Sequence, residues 1–360
     1  MSETAFIPSF YKLEKDEGSV LWNAPSNIAL VKYWGKKQPQ LPANPSLSFT
    51  LNSCSTTTRL SYRKKERQDQ HFSYDFLFDG VANQSFRPKI DVFFKRIAQY
   101  LPFLHAYHFT IDTSNSFPHS SGIASSASGM AALALCFADL ERQNLPGIKP
   151  AFFNKKASFL ARLGSGSAGR SISGPMMEWG YHDKIPESSD LYAIDYPFAI
   201  HSVFKSFRDT ILLVDKSRKQ VSSSLGHDLM HGHPYAKARF AQANAHISEL
   251  KAVLEAGDLE AFMRIVEMEA LGLHAMMLTS NPYFILMKAG TLKIIESVRI
   301  KREDSGLPVC FTLDAGANVH LLYPGEYQRQ VQDFIKEELM AYCENGQYIC
   351  DQIGNGAKKM

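Results

Sequence analysis

Four short segments of this chain hold residues whose types and spacing suit chemistry, and they lie far apart in the sequence. One is Ser116-Phe-Pro-His-Ser-Ser-Gly-Ile-Ala-Ser-Ser-Ala-Ser128. Small residues there let the main chain approach a ligand, and the N–H groups and dipole of a following helix favour a phosphate. The segment lacks the Gly-Lys-Ser/Thr ending of a Walker loop, and an ordinary loop with a serine-capped helix uses the same residues. A second is Asn27-Ile-Ala-Leu-Val-Lys-Tyr-Trp-Gly-Lys36, an apolar strand that delivers Lys32 either to solvent or to a site. A third, Leu163-Gly-Ser-Gly-Ser-Ala-Gly-Arg-Ser-Ile-Ser-Gly174, sets Arg170 among backbone donors. A guanidinium so placed grips a carboxylate in bidentate fashion, which an ammonium does not; a flexible turn with a surface arginine is the plainer alternative. The fourth is Phe311-Thr-Leu-Asp-Ala-Gly-Ala-Asn318, where Asp314 in a glycine-containing turn is either a turn former or a functional carboxylate.

Elements must bring these segments together. Leu47 to Leu51 alternates with period two and predicts a half-buried strand, and the charged stretch Arg63 to Gln70 predicts a loop at a solvated hairpin tip. Helical spacing follows over Ile90 to Leu101, a strand over Tyr107 to Asp112, and helices over Ser125 to Leu140 and Phe152 to Leu163. The Ser125 helix is apolar on nearly all sides, so it is expected to be buried. Asp183 to Pro197 loses periodicity and suits a connection between two domains, 1–200 and 201–360. Beyond it, a strand at Phe207 to Val214 precedes helices at Pro234 to Glu255 and Leu259 to Met277, broken at Gly257-Asp258. A helix at Thr291 to Lys301, strands at Pro308 to Leu313 and Asn318 to Tyr323, and a helix at Glu326 to Glu344 complete an α+β unit.

Bulk properties exclude several classes. With 39 basic and 36 acidic residues among 360, the net charge of +3 is too small for the broad positive field that nucleic-acid binding needs. Cys54, Cys136, Cys310, Cys343 and Cys350 are odd in number and scattered, which predicts free thiols in a reducing compartment. The longest strictly apolar run, Met130 to Ala138, is too short to span a bilayer, and the N-terminus shows no secretory pattern, so a soluble, cytoplasmic protein is expected. His227, His231 and His233 lack a completing acid or cysteine and read as surface histidines rather than a metal site. The methionines between Met263 and Met287 read as core filling.

The serine-rich loop resembles the phosphate loop of the galactokinase, homoserine kinase, mevalonate kinase and phosphomevalonate kinase (GHMP kinase) superfamily. Lys-Tyr-Trp-Gly-Lys36 with Leu41-Pro-Ala-Asn-Pro-Ser-Leu-Ser-Phe-Thr-Leu51, the Gly-Ser-Gly-Ser-Ala-Gly-Arg-Ser segment and Asp-Ala-Gly-Ala-Asn318 are similar to signatures of the diphosphomevalonate decarboxylases within it. This chain has Ala317 where that pattern has proline, which is expected to loosen the turn slightly. The resemblance implies a GHMP kinase fold: a ribosomal protein S5 domain 2-like N-terminal domain and a ferredoxin-like C-terminal domain, with the site in the cleft between them. It implies Asp314, Lys32 and Arg170 as catalytic residues, and Tyr33, Lys36, Ser165, Ser167, Arg170, Ser222 and Ser223 as ligands of mevalonate diphosphate. ATP phosphates would lie over Ser121, Gly122, Ala124, Ser125, Ser126 and Ser128, with Mg²⁺ at Ser125, Ser126 or Ser128. A homodimer is also implied. A sister enzyme acting on mevalonate 5-phosphate, as decarboxylase or 3-kinase, and a silent metabolite-binding relative are the alternatives.

Overall fold

The computed structural model describes residues 1–9, 13–67, 69, 71–118, 123–145, 147–217 and 223–360. Strands in chain order are β1 (Glu17–Val31), β2 (Lys36–Lys37), β3 (Leu41–Pro42), β4 (Ser46–Lys64), β5 (Ser73–Phe78), β6 (Val81–Ala82), β7 (Tyr107–Asn115), β8 (Met176–Trp179), β9 (Ile194–Asp195), β10 (Arg208–Leu212), β11 (Cys310–Thr312), β12 (Val319–Tyr323), β13 (Tyr348–Gln352) and β14 (Lys358–Lys359). The helices are α1 (Arg87–Ile97), α2 (Ser125–Asn144), α3 (Pro150–Gly164), α4 (Ser202–Lys205), α5 (Ser223–Asp228), α6 (Ala236–Ala256), α7 (Leu259–Leu278), α8 (Ala289–Ser305) and α9 (Gln328–Phe334).

The first sheet runs β14-β1-β4-β7-β5-β6, with β8 and β9 added beside the start of β4, and the second runs β11-β12-β10-β13. Alternating side chains sort these sheets into layers. Leu60, Phe109 and Ile111 of the first sheet meet α1, α2 and α3 in one core. Ile28, Leu30, Leu47 and Phe49 point the other way, onto Ile247 and Leu250 of α6, Phe262 and Ile265 of α7, and Ile211 and Leu322 of the second sheet. Leu212, Leu321 and Phe311 of that sheet then close a third core with α8 and α9. Two helices are thus sandwiched between the sheets. As its composition predicts, α2 is buried along most of its length.

Helix ends follow local chemistry. Gly257 takes a left-handed φ of 79° that stops α6, and the Asp258 side chain accepts the Ala261 N–H to start α7. Gly306, with φ 67°, ends α8 in the same way. The last helical stretch does not run unbroken to Glu344: α9 passes through a π-helical turn at Ile335–Leu339 into short 3₁₀ turns.

Two expectations need correction. The loop after Lys64 is not a hairpin tip, because β7 lies between β4 and β5 and pairs with β5 in parallel. Asp183 to Pro197 is not a linker: β9 pairs with β8, Arg162 Nε donates to Leu191 O, and Ala193 N donates to Ser158 Oγ. That stretch satisfies its backbone through irregular contacts, two of them to side chains of α3, which leaves no periodicity to read in sequence. At its end the chain returns to the first sheet, where β14 pairs with β1 at Trp22 and Asn23. Of the methionines, Met276 and Met277 are buried but Met268 is 40% exposed. Among the described residues no helix is long and apolar enough to cross a membrane, and Cys54, Cys136, Cys310 and Cys343 are buried free thiols while Cys350 is exposed.

One carboxylate ties the two sheets together. Asp351 of β13 accepts the backbone N–H groups of Asn52 and Ser53 at Oδ1 (3.1 and 2.8 Å) and of Cys54 at Oδ2 (2.7 Å). Asp351→Ala leaves the buried Cys54 N–H without this partner and turns the part-buried Asn52 and Ser53 amides over to solvent, and the expected cost is about 1–3 kcal/mol, read as a lower urea midpoint at unchanged m-value.

Candidate active site

Strand β1 threads the site together. Its pairing with β4 shifts register between Pro25 and Asn27 and again between Ala29 and Val31, and such bulges re-aim side chains. Ser26 Oγ donates to Ile123 O at 2.6 Å, fixing the chain just ahead of α2. Asn27 Nδ2 donates to Ser171 Oγ (2.8 Å) and Ser167 O (3.3 Å), and its Oδ1 accepts from Arg170 Nε at 3.4 Å. Lys32, just past the end of the strand, pairs with Asp314 of the β11–β12 turn, Nζ to Oδ1 3.2 Å. One strand therefore touches three of the four candidate segments and carries the other.

Lys32 is 2% exposed, whereas the Asp314 side chain keeps 27% of its surface open. Burial lowers the Lys32 pKa, opposed by the Asp314 charge and hydrogen bond and by Glu269, while Arg170 adds to the lowering. Arg170 is 3% exposed; its Nη1 bonds Ser46 Oγ and its guanidinium stands 6.0 Å over the Trp179 ring. Burial pushes it down to about 10, resisted by the charges of Asp314, Tyr33 and Glu178, so it stays a cation at neutral pH. Among the described residues no carboxylate lies within ion-pair distance of Arg170. A buried guanidinium without a paired anion suits an anionic ligand. Glu178 is fully buried with both carboxylate oxygens unpartnered, and burial raises its pKa well above the usual range against the lowering effect of Arg170.

Tyr33, Lys36 and His227 form the neighbouring wall. The Tyr33 ring packs 4.7 Å from Trp179 and 4.2 Å from His227, and a Cβ at Gly166 would stand 2.8 Å from its hydroxyl. Lys36 Nζ lies 3.4 Å from Asp228 Oδ1. His227 is not the surface residue expected: it is buried, its Nδ1 accepts the Gly35 N–H at 3.0 Å, and its ring packs on Trp34 at 4.7 Å. His233 is buried too, within 3.1 Å of Met276 O, and His231 alone of the three is exposed. Among the described residues no group of three His, Cys, Asp or Glu side chains is placed to hold a metal.

Ser165 and Ser167 are half-buried on the turn that carries Arg170. Ser121, Gly122 and Ser222 lie outside the described residues, and Ser223 begins α5 with its side chain likewise outside them. Ala124 takes a left-handed φ of 45° immediately before α2, and the first turn of that helix carries no acid. Ser125 is half-buried, Ser126 is exposed and accepts from Lys89 Nζ at 2.9 Å, and Ser128 is fully buried against Thr56 Oγ1 at 2.6 Å. Of the three serines, the buried one is already spent on a protein contact. A pocket beside this helix start is lined by Phe76, Phe78, Phe86, Ile111, Met130 and Lys89. Its aromatic walls and lone ammonium were missed in sequence because they come from β5, β7 and the entrance to α1.

Residues 24–193 match the family model described as diphosphomevalonate decarboxylase-like N-terminal domain, and residues 210–358 match the mevalonate 5-diphosphate decarboxylase C-terminal domain. The diphosphomevalonate decarboxylase of Ganoderma lucidum is 30% identical over 330 residues, 87% of this chain and 80% of that one. This chain belongs to the diphosphomevalonate decarboxylase family. Among solved structures, MDDEF in complex with MVAPP, AMPPCP and magnesium superposes with a TM-score of 0.80 at 28% identity, covering 95% of this chain and 98% of that one. The mevalonate diphosphate decarboxylase from Staphylococcus aureus gives 0.80 at 29%, covering 96% and 98%. The two-domain GHMP kinase fold expected from the signatures is therefore the fold of this family member.

In this decarboxylase-family site, His227 makes stability depend on pH. Burial, then Lys36 and Arg170, depress its pKa to about 3 from the ordinary 6.5. The unfolded chain therefore binds a proton that the folded one refuses, and stability falls as pH drops from about 6.5 toward 3, by at most about 1.4 kcal/mol per pH unit. Urea midpoints across pH 4–7 are expected to fall on the acid side, and His227→Asn is expected to flatten that dependence.

Proposed function

We propose that this chain converts mevalonate 5-diphosphate and ATP to isopentenyl diphosphate, ADP, phosphate and CO₂, with Asp314, Lys32 and Arg170 as the reacting centre. The observation that carries the assignment of roles is the meeting of Lys32 with Asp314 at 3.2 Å, beside a buried Arg170 whose cation feels the Asp314 charge. A tertiary 3-hydroxyl is a crowded nucleophile, and Asp314 is placed to orient it and take its proton as its oxygen attacks the terminal phosphorus of ATP, an effect worth about 10²–10⁴ in rate. Lys32 stabilises charge on the transferring group. The 3-phosphate then departs with the C3–O electron pair, and the electrons of the bond to the carboxyl carbon form the new double bond as CO₂ leaves. Asp314, having passed that proton to the departing phosphate, is again a carboxylate and stabilises the positive charge that builds at C3, and Arg170 holds the substrate carboxylate in line for cleavage.

Tyr33, Lys36, Ser165, Ser167, Ser222 and Ser223 are assigned to the substrate, Lys36 to its diphosphate. The acid-free start of α2 and Lys89 fit a polyanion, so the ATP phosphates are assigned there, with the purine against Phe76 and Phe86. Ser125, whose hydroxyl is not buried against the protein as that of Ser128 is, is the best-placed serine for Mg²⁺, which would neutralise phosphate charge. Assembly as a homodimer belongs to the same proposal and rests on family likeness; sedimentation of the purified chain tests it.

Asp314→Ala is expected to keep ATP binding and to reduce CO₂ release by about two orders of magnitude or more; comparable turnover would remove Asp314 from the mechanism. Arg170→Lys loses the planar fork and is expected to lower kcat/KM by about ten- to hundredfold. Parallel assays of ATP-dependent CO₂ release from mevalonate 5-phosphate and 5-diphosphate decide the substrate: faster turnover of the monophosphate, or phosphorylated product without CO₂, overturns the reading.

A further inference from the structure

The position of Lys32 is fixed through its main chain as well as its ammonium. Its amide donates to Glu269 Oε2 at 2.8 Å, and its carbonyl accepts from Asn44 Nδ2 at 2.9 Å. Side chains, not the sheet ladder, thus hold both backbone polar groups of the residue that follows β1. Glu269 lies on α7 and is fully buried. Its Oε1 receives Arg239 Nη1 at 3.0 Å and His246 Nδ1 at 2.6 Å, and its Oε2 receives Arg239 Nη2 as well as the Lys32 amide. Those four contacts use all the acceptor capacity of a carboxylate. Burial pushes the Glu269 pKa up, but His246, Arg239 and the Lys32 amide outweigh it and hold the group ionised. Further along the same helix, His274 Nε2 donates to Asp314 O at 3.1 Å. One helix therefore touches the main chain of both members of the Lys32–Asp314 pair.

We propose that α7 sets the separation of Lys32 and Asp314, with Glu269, braced by Arg239 and His246, acting as a positioning residue for the lysine. The inference rests on the reading of Lys32 and Asp314 as the chemical centre. A buried Arg–Glu pair is weak evidence of a role in stability, because apolar side chains fill the same space at similar or lower cost. What they cannot supply is the bond to the lysine amide. Misplacing a reacting group by about 1 Å costs on the order of 10² in rate, so a carboxylate that touches no substrate still controls turnover.

The test uses the full chain with ATP and mevalonate 5-diphosphate. Glu269→Gln is expected to lower kcat about ten- to hundredfold while both KM values stay within about threefold. The groups facing Lys32 are Asp314 and Glu269, which favour its charge, and Arg170, which opposes it along with burial; Asp209 lies within electrostatic reach. Removing the Glu269 charge therefore shifts the alkaline limb of the rate profile to lower pH, which a purely structural residue would not do. The double replacement Glu269→Leu with Arg239→Leu leaves no unpaired buried charge and is expected to fold with the same loss in kcat. Full kcat in either folded variant, with the alkaline limb unmoved, overturns the proposal. Asp314→Ala is measured beside them. If it is inactive while the Glu269 variants are fully active, only the positioning role fails; if it is active, the underlying reading fails with it.

Discussion

A buried ammonium is tolerated only with a counter-charge, and for Lys32 that charge comes from the opposite half of the chain. Lys32 follows a strand of the first sheet and Asp314 sits on a turn of the second, so their ion pair forms only when the two sheets are docked across α6 and α7. Docking and site assembly are therefore a single event. The apolar layer between the sheets supplies the driving force, and Asp351 adds a polar tie to the amides of residues 52–54.

Charge is distributed so that one of the three site cations, Arg170, has no carboxylate within ion-pair distance among the described residues. Lys32 and Lys36 each face a partly exposed aspartate, while Arg170 is paired with neutral groups, Asn27 and Ser46. Such an arrangement is costly in the absence of a ligand and favourable with one that bears a carboxylate and phosphates. The buried Glu178, whose carboxylate oxygens have no hydrogen-bond partner, fits the same pattern, because burial raises its pKa and disfavours the charge that would otherwise neutralise Arg170. A small net charge on the whole chain is compatible with this, since the local field, not the total, recruits a small anion.

Much was legible from residue order because backbone demands are local. Gly257-Asp258 marked a helix break since one residue adopts a left-handed turn and the next caps α7. The apolar composition of α2 announced its burial. The replacement of proline by Ala317 was expected to loosen the Asp314 turn, yet Ala317 O accepts from Thr291 Oγ1 at 2.6 Å and Asn318 Oδ1 from the Asp215 amide at 2.9 Å, so tertiary bonds hold it. His227 and His233 looked like surface residues because nothing in their neighbourhood of sequence shows which rings will pack over them. The stretch 183–197 looked like a linker because its order comes from irregular contacts, two of them to α3 side chains, and not from repetition.

Sequence by itself determined which groups were available: a lysine after an apolar strand, an arginine among small residues, an aspartate in a glycine turn and a serine-rich helix start. Their types and the turn chemistry around them are properties of neighbouring residues, so they survive without a fold. Tertiary structure alone decided that β1 touches the end of the serine-rich loop, the arginine turn and the aspartate in succession, and that Glu269 and His274 of one helix contact the main chain of that pair. These are contacts between residues remote in the chain, set by how sheets and helices pack, and no local pattern encodes them.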